Sequence, residues 1–190
     1  MNCIIYLVRS SEKDVEEFNK PLLLLEKNLL KYTSADVLVF VEESFEKYKS
    51  KVETDLELSY QTIEFNLPDY PQEILDNIPE FYPHPTHGNG PVEWGHPGFT
   101  MGYRHMCRMF SGEVYKFPIV QEYEYYIRLD TDSFIHTPLE YDIFKWAKDN
   151  DCWYGYVAPA VQQDNEKVVE GLSEFVNSIY PNEIPDRWMY

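Results

Sequence analysis

Cysteine is scarce in this chain. Cys3, Cys107 and Cys152 are the only three in 190 residues. An odd number cannot all pair, and no C-x-x-C or His/Cys cluster accompanies them, so a zinc centre of the tetrahedral type is not expected. All three fall in predicted strands or helices and read as free, buried thiols, which fits a reducing compartment. No G-x-G-x-x-G follows the first apolar run and no P-loop is present, which argues against a Rossmann dinucleotide site and against P-loop phosphate chemistry. No apolar run is long enough to span a bilayer, the Leu22–Leu25 run being far too short. Met1 leads straight into a predicted strand, so no signal peptide or membrane anchor is read, and the chain as it stands is expected to be soluble and cytoplasmic. Positive charge is also in short supply: 16 Lys and Arg face 33 Asp and Glu, a formal net charge of -17. That excludes nucleic acid and anionic membrane surfaces as natural partners.

What is present is a globular composition, 44% apolar and 16% aromatic, in a chain long enough for one domain with a real core. Cys3 to Val8 is a continuous apolar run, the pattern of a strand buried on both faces. Ser11 and Asp14 form a capping pattern, and a helix is predicted to about Tyr32, with Pro21 either kinking it or opening a second helix. Asp36 to Val41 is a second buried strand, Glu42 to about Val52 a short charged helix, and Gln61 to Leu67 a third strand. The β-α-β-α-β order predicts an α/β fold with a mostly parallel central sheet and flanking helices. Residues 68–101 form a long Pro/Gly/His-rich loop, with seven of the thirteen prolines between Pro68 and Pro97. Trp94 in that loop is either a sugar-stacking platform or a simple anchor. His84, His87 and His96 lack the i, i+4 spacing of a helical metal pair. Past residue 133, a short edge strand is expected over Phe134–His136. Asp142 to Lys148 reads as a helix with Ile143, Phe144, Trp146 and Ala147 inward, Trp153–Val157 as a strand, and Glu166–Ile179 as an amphipathic helix.

The most informative stretch is Gly102 to Phe134. Tyr103, Met106, Phe110, Val114 and Phe117 recur at i+3 and i+4, one apolar stripe of a helix that Pro118 ends. Tyr125, Ile127 and Leu129 then alternate with Tyr126, Arg128 and Asp130, the period of a strand. Asp130-Thr131-Asp132 follows where that strand should end, and the C-terminal edge of an open α/β sheet is where such sheets bind ligands. Two carboxylates one residue apart can share Mn²⁺ or Mg²⁺ together with substrate phosphates. Arg104, Arg108, Lys116 and Arg128 supply local positive charge; each is equally readable as a surface ion-pair partner. A second D-x-D, Asp149-Asn150-Asp151, closes a helix pattern and reads as solvated turn chemistry.

Taken together, YRHMCR (Tyr103 to Arg108), Ser111-Gly112, the Tyr-rich strand ending in Arg128, the acid-x-Asp triplet, YDIFKWAKDN (Tyr141 to Asn150) and Tyr154-Gly155 resemble the fungal-type α-1,2-mannosyltransferases of glycosyltransferase family 15, the KRE2/MNT1-like enzymes. Where the family usually carries Glu-Pro-Asp this chain has Asp130-Thr131-Asp132, which keeps both carboxylates. The resemblance implies a single GT-A-like glycosyltransferase domain over residues 1–190. It also implies retaining transfer of mannose from GDP-mannose to an α-mannoside or glycan acceptor, forming an α-1,2 linkage. Asp130 and Asp132 would hold Mn²⁺ or Mg²⁺ against the two phosphates. Arg9, in a Leu-x-Arg context, would contact the nucleotide, with Tyr103, Arg104, Arg108 and Arg128 completing the nucleotide and substrate set. The family's enzymes are Golgi-lumenal and anchored at the N-terminus. The resemblance covers nearly all of this chain but only the first part of the family's catalytic domain. The family's later Glu and His have no counterpart before Tyr190, so no catalytic nucleophile is assigned. That motivates two alternatives: a non-catalytic nucleotide-sugar-binding remnant, and an acidic interaction domain.

Overall fold

A computed structural model describes residues 1–66, 72–76, 81–82, 99–155 and 178. The chain divides into two compact units, Met1–Asp76 with Arg104–Gly155, and Asn77–Tyr103 with Tyr156–Tyr190. The first unit carries a four-stranded sheet of β1 (Asn2–Val8), β2 (Asp36–Val41), β3 (Leu58–Thr62) and β6 (Tyr125–Arg128), in the order β3-β2-β1-β6. Every neighbouring pair is parallel, as the β-α-β order requires. In the second unit, β4 (Phe81–Tyr82) and β5 (Phe99–Thr100) form an antiparallel ladder. This ladder lies inside the stretch read from sequence as structureless loop. Trp94, His84, His87 and His96 are outside the described residues, as is all of the helix expected over Glu166–Ile179 except Ser178.

Strands β1 and β2 are where their apolar runs place them, and they are the centre of the core. Alternate side chains feed opposite layers. Ile4, Tyr6, Val8, Val37, Val39 and Val41 pack against Val15, Phe18, Leu22 and Leu25 of α1 (Glu12–Leu25). Cys3, Ile5, Leu38 and Phe40 pack on the other face with Met109, Val114 and Val120. Helix α1 starts at the expected cap, the Asp14 amide donating to Ser11 Oγ at 3.1 Å. Pro21 sits inside the helix rather than opening a second one, and helical structure continues as a π-turn over Glu26–Leu30.

Several sequence expectations need correction. The third strand is Leu58–Thr62, earlier than Gln61–Leu67; Ile63 follows it, its amide donating to the Val41 carbonyl at 2.8 Å. Strands β3 and β6 are the two edges of this sheet, and β6 is half-buried. The long helix from Gly102 to Phe117 is broken. Helix α3 (Met101–Arg108) runs into a π-turn over Met109–Glu113, with Gly112 non-helical, and then a 3₁₀ turn over Val114–Lys116. Ser111 Oγ donates back to the Cys107 carbonyl at 2.7 Å, and a serine bonded in this way beside a glycine weakens the α ladder. Pro118 does more than stop the preceding turn, since it begins α4 (Pro118–Gln121).

Phe134–His136 forms no strand. Ile135 and Leu139 instead pack on the α1 core, and buried Asn28 fixes the segment: its Nδ2 donates to the Ile135 carbonyl at 2.5 Å, and its own carbonyl accepts from the Leu139 amide at 2.8 Å. Helix α5 (Ile143–Asp149) is capped by Asp142, which accepts from the Phe144 and Lys145 amides at 3.0 Å. Phe144 is buried, but Trp146 is 52% exposed and does not face inward as expected. Trp153–Gly155 is not a strand, and residues 156–157 lie outside the described set. All three cysteines are free. Only Cys3 is fully buried, with burial and then nearby Asp36 pushing its thiol up to about 12. Cys107 and Cys152 are half-buried, and Cys152 lies beyond α5 rather than in a strand.

Candidate functional site

The sheet's C-terminal edge gathers most of the residues singled out from sequence. Register pairs Ile5 with Arg128, and the Leu129 amide donates to the Ile5 carbonyl at 3.0 Å. Continuing that register sets Asp130 level with Leu7, two residues short of Arg9. Because β1 and β6 are parallel neighbours, Arg9 and the Asp130-Thr131-Asp132 triplet leave the sheet at the same edge. The triplet is a closed turn. The Ser133 amide donates to the Asp130 carbonyl at 2.9 Å, and the Asp130 amide donates to Ser133 Oγ at 3.1 Å. Ser133 was not singled out from sequence, although an acidic residue followed three positions later by serine is a turn signal.

Both carboxylates of the turn are exposed. Asp130 is already engaged: Arg128 Nη2 donates to its Oδ1 at 2.8 Å. Asp132 makes no hydrogen bond or ion pair with any described residue, which leaves its two oxygens to solvent. Two carboxylates on one tight turn are a hard-oxygen donor set, and that chemistry suits Mn²⁺ or Mg²⁺. Among the described residues no group of three or more His, Cys, Asp or Glu side chains converges as a metal cage. A cation here would need oxygens beyond the turn, such as phosphate and water. The decoy triplet is different. Asp149 pairs with Lys145, while Asp151 sits in the left-handed region at φ 51 and accepts from Trp153 Nε1 at 2.9 Å. It is turn chemistry, as expected.

The arginines divide by environment. Arg9 has a side chain 82% exposed and, among the described residues, makes only a long contact to Asp14, 3.9 Å. Arg104 is half-buried on α3. Arg108 faces Glu113 Oε1 at 3.0 Å, and its Nη2 donates to the Asn66 carbonyl at 2.5 Å. It therefore ties α3 to the loop after β3. Beside it, the His105 ring stacks on Phe65 with centroids 5.2 Å apart. Burial, and then the Arg108 charge, hold that imidazole below its ordinary range. Tyr103 is exposed and belongs to the second unit. Replacing Arg108 with Met is expected to lower stability by about 1–2 kcal/mol, because a charged hydrogen bond to a loop carbonyl is lost. GDP affinity should change less than threefold by calorimetry. A large loss of affinity at unchanged melting temperature would show that Arg108 faces the ligand instead.

A sequence profile of the family described as glycolipid 2-alpha-mannosyltransferase matches residues 1–182. The chain belongs to this family. Curated relatives include the probable mannosyltransferase KTR3 of Saccharomyces cerevisiae, 43% identical over 60 residues, a match covering 32% of this chain and 15% of that protein. Another is the alpha-1,2 mannosyltransferase KTR1 of the same yeast, 32% identical over 89 residues, covering 42% of this chain and 23% of that protein. Among solved structures, the mannosyltransferase Ktr4p of S. cerevisiae superposes with TM-score 0.68 at 24% identity, over 93% of this chain and 44% of that one. The Mn/GDP form of core-mannan synthase A from Aspergillus fumigatus gives TM-score 0.68 at 20% identity, over 97% of this chain and 49% of that one. These likenesses establish the fold, a GT-A-like α/β arrangement with the parallel sheet expected from sequence. The chain spans less than half the length of these solved relatives. Among the described residues no helix is long and apolar enough to cross a membrane.

Proposed function

We propose that this chain carries the donor half of a metal-dependent, retaining α-1,2-mannosyltransferase site, taking GDP-mannose as donor and an α-mannoside or glycan as acceptor. The observation that carries the reading is the closed Asp130–Ser133 turn at the C-terminal edge of a parallel sheet, with Asp132 unpaired among the described residues and Arg9 at the same edge. Family membership supplies the reaction class, and the GDP complex of Ktr4p and the Mn/GDP form of core-mannan synthase A support the choice of nucleotide and cation.

In this reading Asp130 and Asp132 would hold the cation, and the Ser133 bonds keep the turn from opening. A bound cation would supply charge neutralisation to the diphosphate of the donor. Arg9, exposed beyond β1, offers positive charge to an anionic ligand that a chain of charge -17 would otherwise repel, and Arg104, half-buried on α3, is kept in the nucleotide and substrate set. Arg108 and Arg128, both committed to protein partners, contribute shape rather than free charge. Tyr103 is retained as a substrate-side residue. The acceptor's own contacts and the group that attacks the donor are not assigned to any residue.

The test is transfer. Incubation with GDP-mannose, Mn²⁺ and an α-mannoside, with products read by mass spectrometry and linkage analysis, should show one added hexose in α-1,2 linkage. GDP binding without any such product would support the reading of a nucleotide-sugar-binding remnant instead.

A further inference from the structure

Arg128 was read from sequence as a residue that touches the nucleotide or substrate. Its surroundings give it another task. The guanidinium carbon lies 4.1 Å from the centre of the Phe110 ring, stacked on its face. Nη2 is 3.9 Å from Met106 Sδ and 2.8 Å from Asp130 Oδ1. The group is therefore held on one side by α3 and the π-turn, and on the other it grips one oxygen of a carboxylate. Phe110 lies within the π-turn, and a π insertion within a helix commonly marks a functional position. Buried Met109 and Val114, on either side of Phe110, lock that turn against the sheet.

We infer that Arg128 is a positioning residue: stacked on Phe110, it clamps Asp130 Oδ1 and so presents the other oxygen of that carboxylate to the cation. The inference rests on the reading of Asp130 and Asp132 as cation ligands. Two effects of Arg128 on that cation oppose each other. Its positive charge repels the divalent cation, by about 2 kcal/mol at about 4 Å in water, or about thirtyfold in affinity. Its orienting bond is of the kind whose loss typically costs about 10–100-fold in metal affinity. The two effects are of similar size, so a substitution that keeps the charge and removes the clamp is the one that exposes the orienting role. A flat guanidinium can stack and hydrogen-bond in one plane at once, and an ammonium cannot. Lysine at this position should therefore keep the repulsion and lose the clamp.

The experiment is a Mn²⁺ titration at a fixed, saturating GDP concentration, reading free Mn²⁺ by its paramagnetic resonance signal against a blank of GDP alone, with thermal melting of each variant alongside. Arg128→Lys should weaken Mn²⁺ binding by about tenfold or more. Arg128→Met, which relieves the repulsion, should weaken it less. Phe110→Leu should weaken it about threefold or more, yet add nothing further in the Arg128→Met background. That coupling, seen in variants that still melt cooperatively, is something a purely structural role would not produce. Wild-type Mn²⁺ affinity in Arg128→Lys and Phe110→Leu, or independent effects that multiply in the double variant, would overturn the inference. So would a loss confined to GDP affinity with Mn²⁺ binding intact, which would return Arg128 to the ligand-contacting set. If wild type shows no Mn²⁺ binding that Asp132→Ala removes, the underlying reading of the turn fails and this inference falls with it.

Discussion

Asp132→Ala is expected to abolish the dependence of GDP binding on Mn²⁺. The carboxylate sits on a turn whose backbone is closed by its own hydrogen bonds, and it has no partner among the described residues. Removing it therefore costs the fold little and takes away a whole ligand. An octahedral oxygen site with only two protein carboxylates depends on phosphate for its completion, so cation and nucleotide should bind cooperatively, and losing either carboxylate should reduce both affinities. We expect at least a tenfold loss of GDP affinity in Mn²⁺ buffer and a melting temperature within about 2 °C of wild type, as for a surface substitution of under 0.5 kcal/mol. Asp130→Ala should weaken GDP binding at least as much, and it also strands Arg128. Asp151→Asn, in the second triplet, should leave GDP binding unchanged; asparagine tolerates the left-handed conformation of that position, so the comparison is not clouded by backbone strain. Equal losses at Asp132 and Asp151 would point to a general charge effect instead of a site.

The second large effect concerns the opposite layer. Phe18 is fully buried on α1 and meets the Tyr6 ring edge-on, with centroids 5.0 Å apart. Phe18→Ala should cost about 3–5 kcal/mol, the transfer loss of a buried aromatic plus the cavity it leaves. The Tyr6 ring, whose buried hydroxyl has no hydrogen-bond partner among the described residues, would then border that cavity. Denaturant melts should show the loss as a lower midpoint. Because α1 and the turns after α3 pack on different faces of the sheet, protein that remains folded should still bind GDP in a Mn²⁺-dependent way. A variant that keeps its stability would mean Phe18 is not packed as described, and one that folds but loses the metal dependence would mean the two faces are energetically coupled.

How far the sequence could be read depended on the kind of signal each element carries. Strands β1 and β2 are buried on both faces, so their apolar runs mark them almost to the residue. Strand β3 is half-exposed, with no apolar run, and the alternation of Ile63, Phe65 and Leu67 just beyond it drew the boundary too late. The helix from Gly102 was carried too far because spacing by three and four survives a π-turn, while the backbone bonds that define an α-helix do not. Trp146 was taken as core on hydrophobicity alone, although its site on α5 is open. The acidic turn was legible because its residues are adjacent and follow a strand pattern. Its support was not. Phe110 looked like one more member of an apolar stripe, Asn28 like a polar residue in a helix, and Ser133 like loop. Each acts through a partner that sequence periodicity does not reveal, 18 residues away for Phe110 and Arg128 and 107 for Asn28 and Ile135. Family resemblance supplied the chemistry of the donor and the cation, which spacing alone left at a pair of carboxylates able to share a divalent cation.

The most direct test of the central claim is a calorimetric titration of the wild-type chain with GDP, once in Mn²⁺ and once in excess chelator. A cation shared between Asp130, Asp132 and the diphosphate predicts measurable binding with Mn²⁺ and at least a tenfold weaker or undetectable affinity in chelator. Equal GDP affinity in the two buffers would contradict the account.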